Sequence, residues 1–144
     1  MLINLGRDVD GLLFGMSEPE IVGMLGEPDK IWFDANDGRN LEYHKLKLVL
    51  KIEPNERLGW IEVHNQGAIW NGINPWAISR DELLDSLSGA LGEEVEFEDY
   101  GGMESYFFHA NWVELQYEVG ALSSFNFGVL YHDNEEQLWP KGEF

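Results

Sequence analysis

Two stretches of the chain carry apolar residues at helical spacing and then at strand spacing, in the same order. In the first, Phe14-Gly15-Met16-Ser17-Glu18-Pro19-Glu20 runs into Ile21, Val22 and Leu25 and stops at Gly26. Ser17 with Glu20 three places on is the pattern of a capping box, Pro19 suits a first turn and Gly26 suits a C-terminal stop, so the spacing predicts a short amphipathic helix. Ser79-Arg80-Asp81-Glu82 repeats the pattern ahead of Leu83, Leu84, Leu87 and Leu91, with Gly92 behind it. Strand-like runs follow each helix. Ile31-Trp32-Phe33 corresponds to Val95-Glu96-Phe97, Leu41 to His44 corresponds to Tyr106 to His109, Leu48 to Ile52 corresponds to Val113 to Tyr117, and Leu58 to Val63 corresponds to Leu122 to Phe127. Turn-forming clusters at Asn36-Asp37-Gly38, Pro54-Asn55, Gly101-Gly102 and Gly120 separate them.

These patterns predict a single α+β domain over 1–144, with one unit at 12–65 and a second at 72–132. Each unit is expected to be a helical segment followed by about four antiparallel strands, a tandem repeat forming one curved sheet with helices on one face. The connector Gln66 to Trp76, rich in Gly and Asn, also carries two Trp and two Ile and is expected to pack. The tail from Asp133 to Pro140 lacks periodicity, although Trp139 argues for docking.

Period-two alternation divides each strand between two faces. Leu48, Leu50, Ile52, Ile61, Val63, Val113, Leu115, Tyr117, Phe125, Phe127 and Val129 form the apolar set that helices must cover. The opposite set is Trp32, Glu42, Lys51, Trp60, Glu62, His64, Phe107, Trp112, Glu114, Gln116 and Glu118. Large aromatics interleaved with carboxylates suit a protein-binding surface, where rings anchor and charges steer. Lys51 aside, these residues are the candidate partner-binding site.

Charge narrows the class of partner. Nine basic against 27 acidic residues leave a net charge of −18, which repels phosphate backbones and anionic lipid and favours encounter with a basic protein. Nucleic acid and membranes are therefore not expected as partners. The charge is uneven: residues 1–64 carry 12 acidic and seven basic side chains, residues 65–144 carry 15 and two. The absence of cysteine excludes disulfides, thiolate metal sites and a Cys nucleophile. The opening Met1 to Asp8 has no apolar run of signal-peptide length, so the protein is expected to be cytoplasmic as made.

No cofactor, metal or catalytic group is expected. Asp34-Ala35-Asn36-Asp37-Gly38 resembles a calcium loop, but its glycine comes one place early and Lys45 stands where the last ligand belongs, which leaves a hairpin turn. His44, His64 and His109 are expected as independently exposed residues. A small enzyme using Glu62 and Glu114 as a carboxylate pair is the alternative function, and a homodimeric structural module a further one.

The run from Phe14 to Val22, with Leu25-Gly26-Glu27-Pro28-Asp29 leading to short strands, resembles the repeat of the β-lactamase-inhibitor-protein-like group. The resemblance covers both units, although the second lacks the Leu-Gly-Glu-Pro-Asp ending. It implies a two-repeat sheet that grips a partner protein. Without a signal peptide or disulfides, the chain looks more like a cytoplasmic immunity protein neutralising a basic toxin domain than like the secreted inhibitor.

Overall fold

The computed structural model describes residues 1–140. In chain order its elements are β1 (Leu2–Asn4), β2 (Asp8–Val9), β3 (Leu12–Leu13), α1 (Glu18–Leu25), β4 (Lys30–Phe33), β5 (Arg39–Tyr43), β6 (Leu48–Ile52) and β7 (Leu58–Val63). There follow β8 (Ile69–Trp70), α2 (Arg80–Leu91), β9 (Glu96–Asp99), β10 (Met103–Phe108), β11 (Val113–Glu118) and β12 (Ala121–Gly128). Eight strands form an antiparallel sheet in the order β4-β5-β6-β7-β12-β11-β10-β9. The remaining four form a mixed sheet, β3-β2-β1-β8, in which β1 and β8 run parallel.

The expected α+β tandem of helix-plus-strand units on one curved sheet is corrected by this architecture. The chain is mostly β, about 40% strand and 14% helix, and it has a second sheet. The physical reason lies in how little the helices can cover. Helix α1 spans eight residues and buries only Ile21, and α2 spans 12 and buries Leu83 and Leu87. Much of the core is instead supplied by the small sheet and its neighbours, through Ile3, Val9, Leu12, Phe14, Ala68 and Trp70. Phe14 meets Phe127 edge-on at 5.5 Å, and Trp70 lies 6.4 Å from Phe125. The sheet edges escape this cover, since Phe33 on β4 is 70% exposed and Phe97 on β9 is 51% exposed.

Local signals explain the helix ends. Ser17 accepts from the Glu20 N–H while Glu20 accepts from the Ser17 N–H, a complete capping box. At α2 the box is only half formed. Ser79 accepts from the Glu82 N–H, but the Glu82 carboxylate takes the Ser79 hydroxyl rather than its backbone. The segment after β12 docks as well. Leu138 donates to the Leu130 carbonyl and Gln137 donates to Glu53, so the tail is tied to the turn before β7.

In the large sheet Leu50, Ile61, Val63, Leu115, Phe125 and Phe127 are all fully buried. Phe127→Ala is therefore expected to destabilise the fold by about 3–5 kcal/mol in urea unfolding. The hairpin joining β11 to β12 carries the opposite lever. Val119 and Gly120 both have positive φ, 49° and 80°, the geometry of a type I′ turn, in which a β-branched residue is disfavoured. Val119 is 95% exposed, so little packing opposes a change. Val119→Asn is expected to raise stability by about 1 kcal/mol in the same measurement.

Candidate functional site

On the face turned away from the core, antiparallel register lines residues into rows that cross the strands. One row runs Lys30, Glu42, Val49, Glu62, Asn126, Glu114, Phe107 and Glu96, from β4 to β9. Two residues along, Trp60 stands opposite Gly128, with Trp112 just ahead of β11. Two residues the other way, Ser124 pairs with Gln116 beside His64. Strands β7, β12 and β11 thus place Trp60, Gly128 and Trp112 along one line, and Glu62, Asn126 and Glu114 along the next.

Each side chain is held by a specific contact. Trp60 lies over Gly128, where any Cβ would come within 2.7 Å of the indole, so glycine is required for the ring to lie down. Trp112 has φ of 52° and leans on Phe107, with ring centroids 6.3 Å apart, and on Tyr131 at 5.3 Å. Glu114 accepts from the Ser105 hydroxyl at 2.9 Å, from Asn126 Nδ2 at 3.2 Å and from Gln116 Nε2 at 3.3 Å. All three donors are neutral, and among the described residues no cation lies within ion-pair distance of this carboxylate. Ser124 is fully buried and donates to Gln116 at 3.4 Å. Asn126 is 1% exposed, and among the described residues no protein group donates to its Oδ1.

Of the ten sequence-predicted site residues, six gather at this centre: Trp60, Glu62, His64, Trp112, Glu114 and Gln116. Phe107 adjoins them beyond Glu114. Glu118 stands at the rim, at the exposed end of β11. Trp32 and Glu42 form a separate pair, the indole N–H donating to the carboxylate at 2.8 Å, divided from the centre by Val49 and Lys51. Asn126, Ser124, Gly128, Ser105 and Tyr131 are participants that sequence reasoning passed over. For Ser124, Asn126 and Gly128 the signal was the polar or small residue at every second place of β12, alternating with Phe125, Phe127 and the Val129 that follows; Ser105 lies on β10 and Tyr131 after β12.

Two hollows flank the centre. A cavity of about 260 Å³ is lined by Glu96, Glu98, Tyr100, Ser105, Phe107, His109 and Glu114, and another of about 310 Å³ lies between His44 and His64. The hydrogen bond to the Glu98 carboxylate, with burial and the Glu98 and Glu114 charges adding to it, raises the Tyr100 hydroxyl above its ordinary range. A third hollow, about 700 Å³, sits between the docked tail, Tyr131 and Glu53-Pro54-Asn55. Asp34 and Gly38 form the β4–β5 turn: the carboxylate accepts from the Asn36 and Gly38 N–H groups and meets Lys51 Nζ at 3.0 Å. Among the described residues no three metal-ligating side chains converge, and no helix is long and apolar enough to cross a membrane.

No protein-family model matches the chain, and no curated protein matches it. Two solved structures are similar to it in fold. One is an extracellular protein containing an SCP domain from Bacillus anthracis str. Ames, with a TM-score of 0.51 and 11% identity over 90% of this chain and 48% of that one. The other is a DUF4309 family protein, YjgB, from Bacillus subtilis subsp. subtilis str. 168, with a TM-score of 0.50 and 12% identity over 86% of this chain and 88% of that one. The chain thus spans about half the length of the first structure and most of the second. At such identities the likeness is one of fold.

Electrostatics at the centre can be tested through His64. Its bond to Glu62 at 3.5 Å raises the imidazole above its ordinary 6.5, against the effect of burial, and the Ser123 backbone and the Glu118 charge add to the rise. A raised folded-state value means that the pair's contribution to stability is full below the unfolded value and is lost as pH climbs through the folded one. NMR titration is expected to place His64 above 6.5, and Glu62→Gln is expected to lower its midpoint.

Proposed function

We propose that this chain is an acidic protein-binding module that acts as an inhibitor or immunity protein, neutralising a basic partner through the aromatic-acidic face of the eight-stranded sheet. The observation that supports this reading most directly is the central patch. Two Trp stand in the row beside two carboxylates, all four side chains at least partly exposed, and Glu114 is bonded only by neutral donors. Aromatic rings that expose part of their surface beside charges suit hot spots, because they bury large area with few rotatable bonds. A carboxylate without an internal cation keeps its field for an external one. The net charge of −18 extends that field and steers a basic partner toward the molecule. The resemblance of Phe14 to Val22 and Leu25 to Asp29 to the β-lactamase-inhibitor-protein-like repeat implies the same class of activity.

The reading makes a kinetic prediction for any basic protein domain recovered on the immobilised chain. Association is expected to be fast at low salt and to slow as added salt screens the face, with Glu118→Gln acting chiefly on that rate. Trp112→Ala is expected to act on dissociation instead, at a cost of about 2 kcal/mol or more. Surface-binding kinetics insensitive to both salt and the Trp112 change would exclude this face as the interface.

A further inference from the structure

We propose that the centre of the face is a seat for one arginine side chain of the partner, its guanidinium bridging Glu62 and Glu114 and donating to Asn126 Oδ1. The inference deepens the binding role proposed above and rests on it.

The geometry carries the assignment. Glu62 on β7 and Glu114 on β11 stand two strands apart, about 9.6 Å between backbones, with Asn126 of β12 between them in register. Two carboxylates on strands so placed can each accept from one planar cation at about 2.8 Å, on either side of Asn126. Asn126 supplies a second, independent sign. Its amide nitrogen is turned to Glu114, which leaves the carbonyl oxygen as the other edge of the group, buried and without a donor. An ordered polar network with one unmet acceptor is completed by a ligand that brings N–H groups and no acceptor, as guanidinium and ammonium both do. Glu62 is the movable side. Its carboxylate is held only by the 3.5 Å contact with His64, longer than a charge-assisted bond, and its side chain is 30% exposed, so it can swing to admit a donor to Asn126.

The neighbouring row favours arginine over lysine. Trp60 and Trp112 flank Gly128 directly beside the carboxylates, and Phe107 follows Glu114 in the same row. Ring faces beside paired carboxylates hold a flat, delocalised cation better than a compact, strongly hydrated ammonium.

The test uses the intact chain in low salt with the tripeptide acetyl-Gly-Arg-Gly-amide, followed by two-dimensional NMR. Saturable shifts are expected at the Asn126 and Gln116 side-chain amides and at both indole N–H groups. The Lys tripeptide is expected to bind about tenfold more weakly. Glu62→Gln and Glu114→Gln are each expected to weaken the Arg tripeptide about tenfold or more, and Asp85→Asn on the exposed face of α2 to leave it unchanged. Isosteric Gln preserves shape, and an unchanged backbone spectrum of each free variant shows that it is folded. Shifts spread over the whole acidic surface, an equal loss with Asp85→Asn, or preference for the Lys tripeptide or for spermidine would overturn the arginine seat. The two proposals fail separately. A basic protein whose binding depends on Trp112 but not on Glu62 or Glu114 overturns the seat and leaves the binding face. Arg-tripeptide binding at Asn126 that no basic protein displaces supports the seat and removes the partner.

Discussion

The pairing of β7 with β12 is the contact on which the rest of the molecule depends. Val63 opposite Phe125 and Ile61 opposite Phe127 set the parity of the two central strands, and every other strand of the large sheet inherits it by hydrogen-bonded register. A slip of one residue would turn Phe125 and Phe127 to water and push Glu62 and Asn126 into an apolar core, a cost no nearby contact could offset. The small sheet depends on the same pair, because Phe14 and Trp70 pack against Phe127 and Phe125. Burial on one side and the polar grid on the other are thus two consequences of one register.

That register also explains why the face is electrostatically open. Two of the seven cations in the first part of the chain are committed elsewhere, Arg39 to Glu18 and Glu56, and Lys51 to Asp34. Those bonds to two carboxylates hold the Arg39 guanidinium still further above its already high range. Beyond residue 64 only Arg80 and Lys141 are basic, and Arg80 faces Asp81, Glu104 and the Tyr106 ring. The strands that carry Glu96, Glu98 and Glu114 therefore have no lysine or arginine of their own to neutralise them. The edge strand β9, with the sequence Glu-Phe-Glu-Asp, gains protection from edge-to-edge pairing by the same excess of charge.

Strands long enough to show alternation were legible in the sequence, and shorter ones were not. Leu48 to Ile52 and Leu58 to Val63 are the observed bounds of β6 and β7, because five or six residues suffice to separate two faces. Strands β1, β2, β3 and β8 have two or three residues each, and the pairing of Leu2 and Ile3 with Ile69 and Trp70 joins the start of the chain to its middle, which no local pattern relates. The expectation of two helix-covered units failed at this point, since the missing cover came from that unseen sheet. Within the site, Trp60, Glu62 and Glu114 followed from parity. Asn126 and Gly128 did not, because an asparagine and a glycine in a strand read as weak strand formers until their neighbours are known.

Those weak strand formers are the least economical part of the sheet if folding alone is considered. A buried amide oxygen without a donor costs about 1–3 kcal/mol, and replacing such a group together with its partner by apolar residues of like shape is often neutral or stabilising. Glycine between two tryptophans adds a further penalty in chain entropy. Both costs fall at the middle of the sheet, where β-branched residues would serve stability best. They coincide with two carboxylates that only neutral donors and one histidine attend. Unmet acceptor, unneutralised charge and a glycine that lets Trp60 lie flat are the three features on which the proposed arginine seat rests. The proposed seat would thus place its function where these costs to folding are concentrated, at the middle of the eight-stranded sheet.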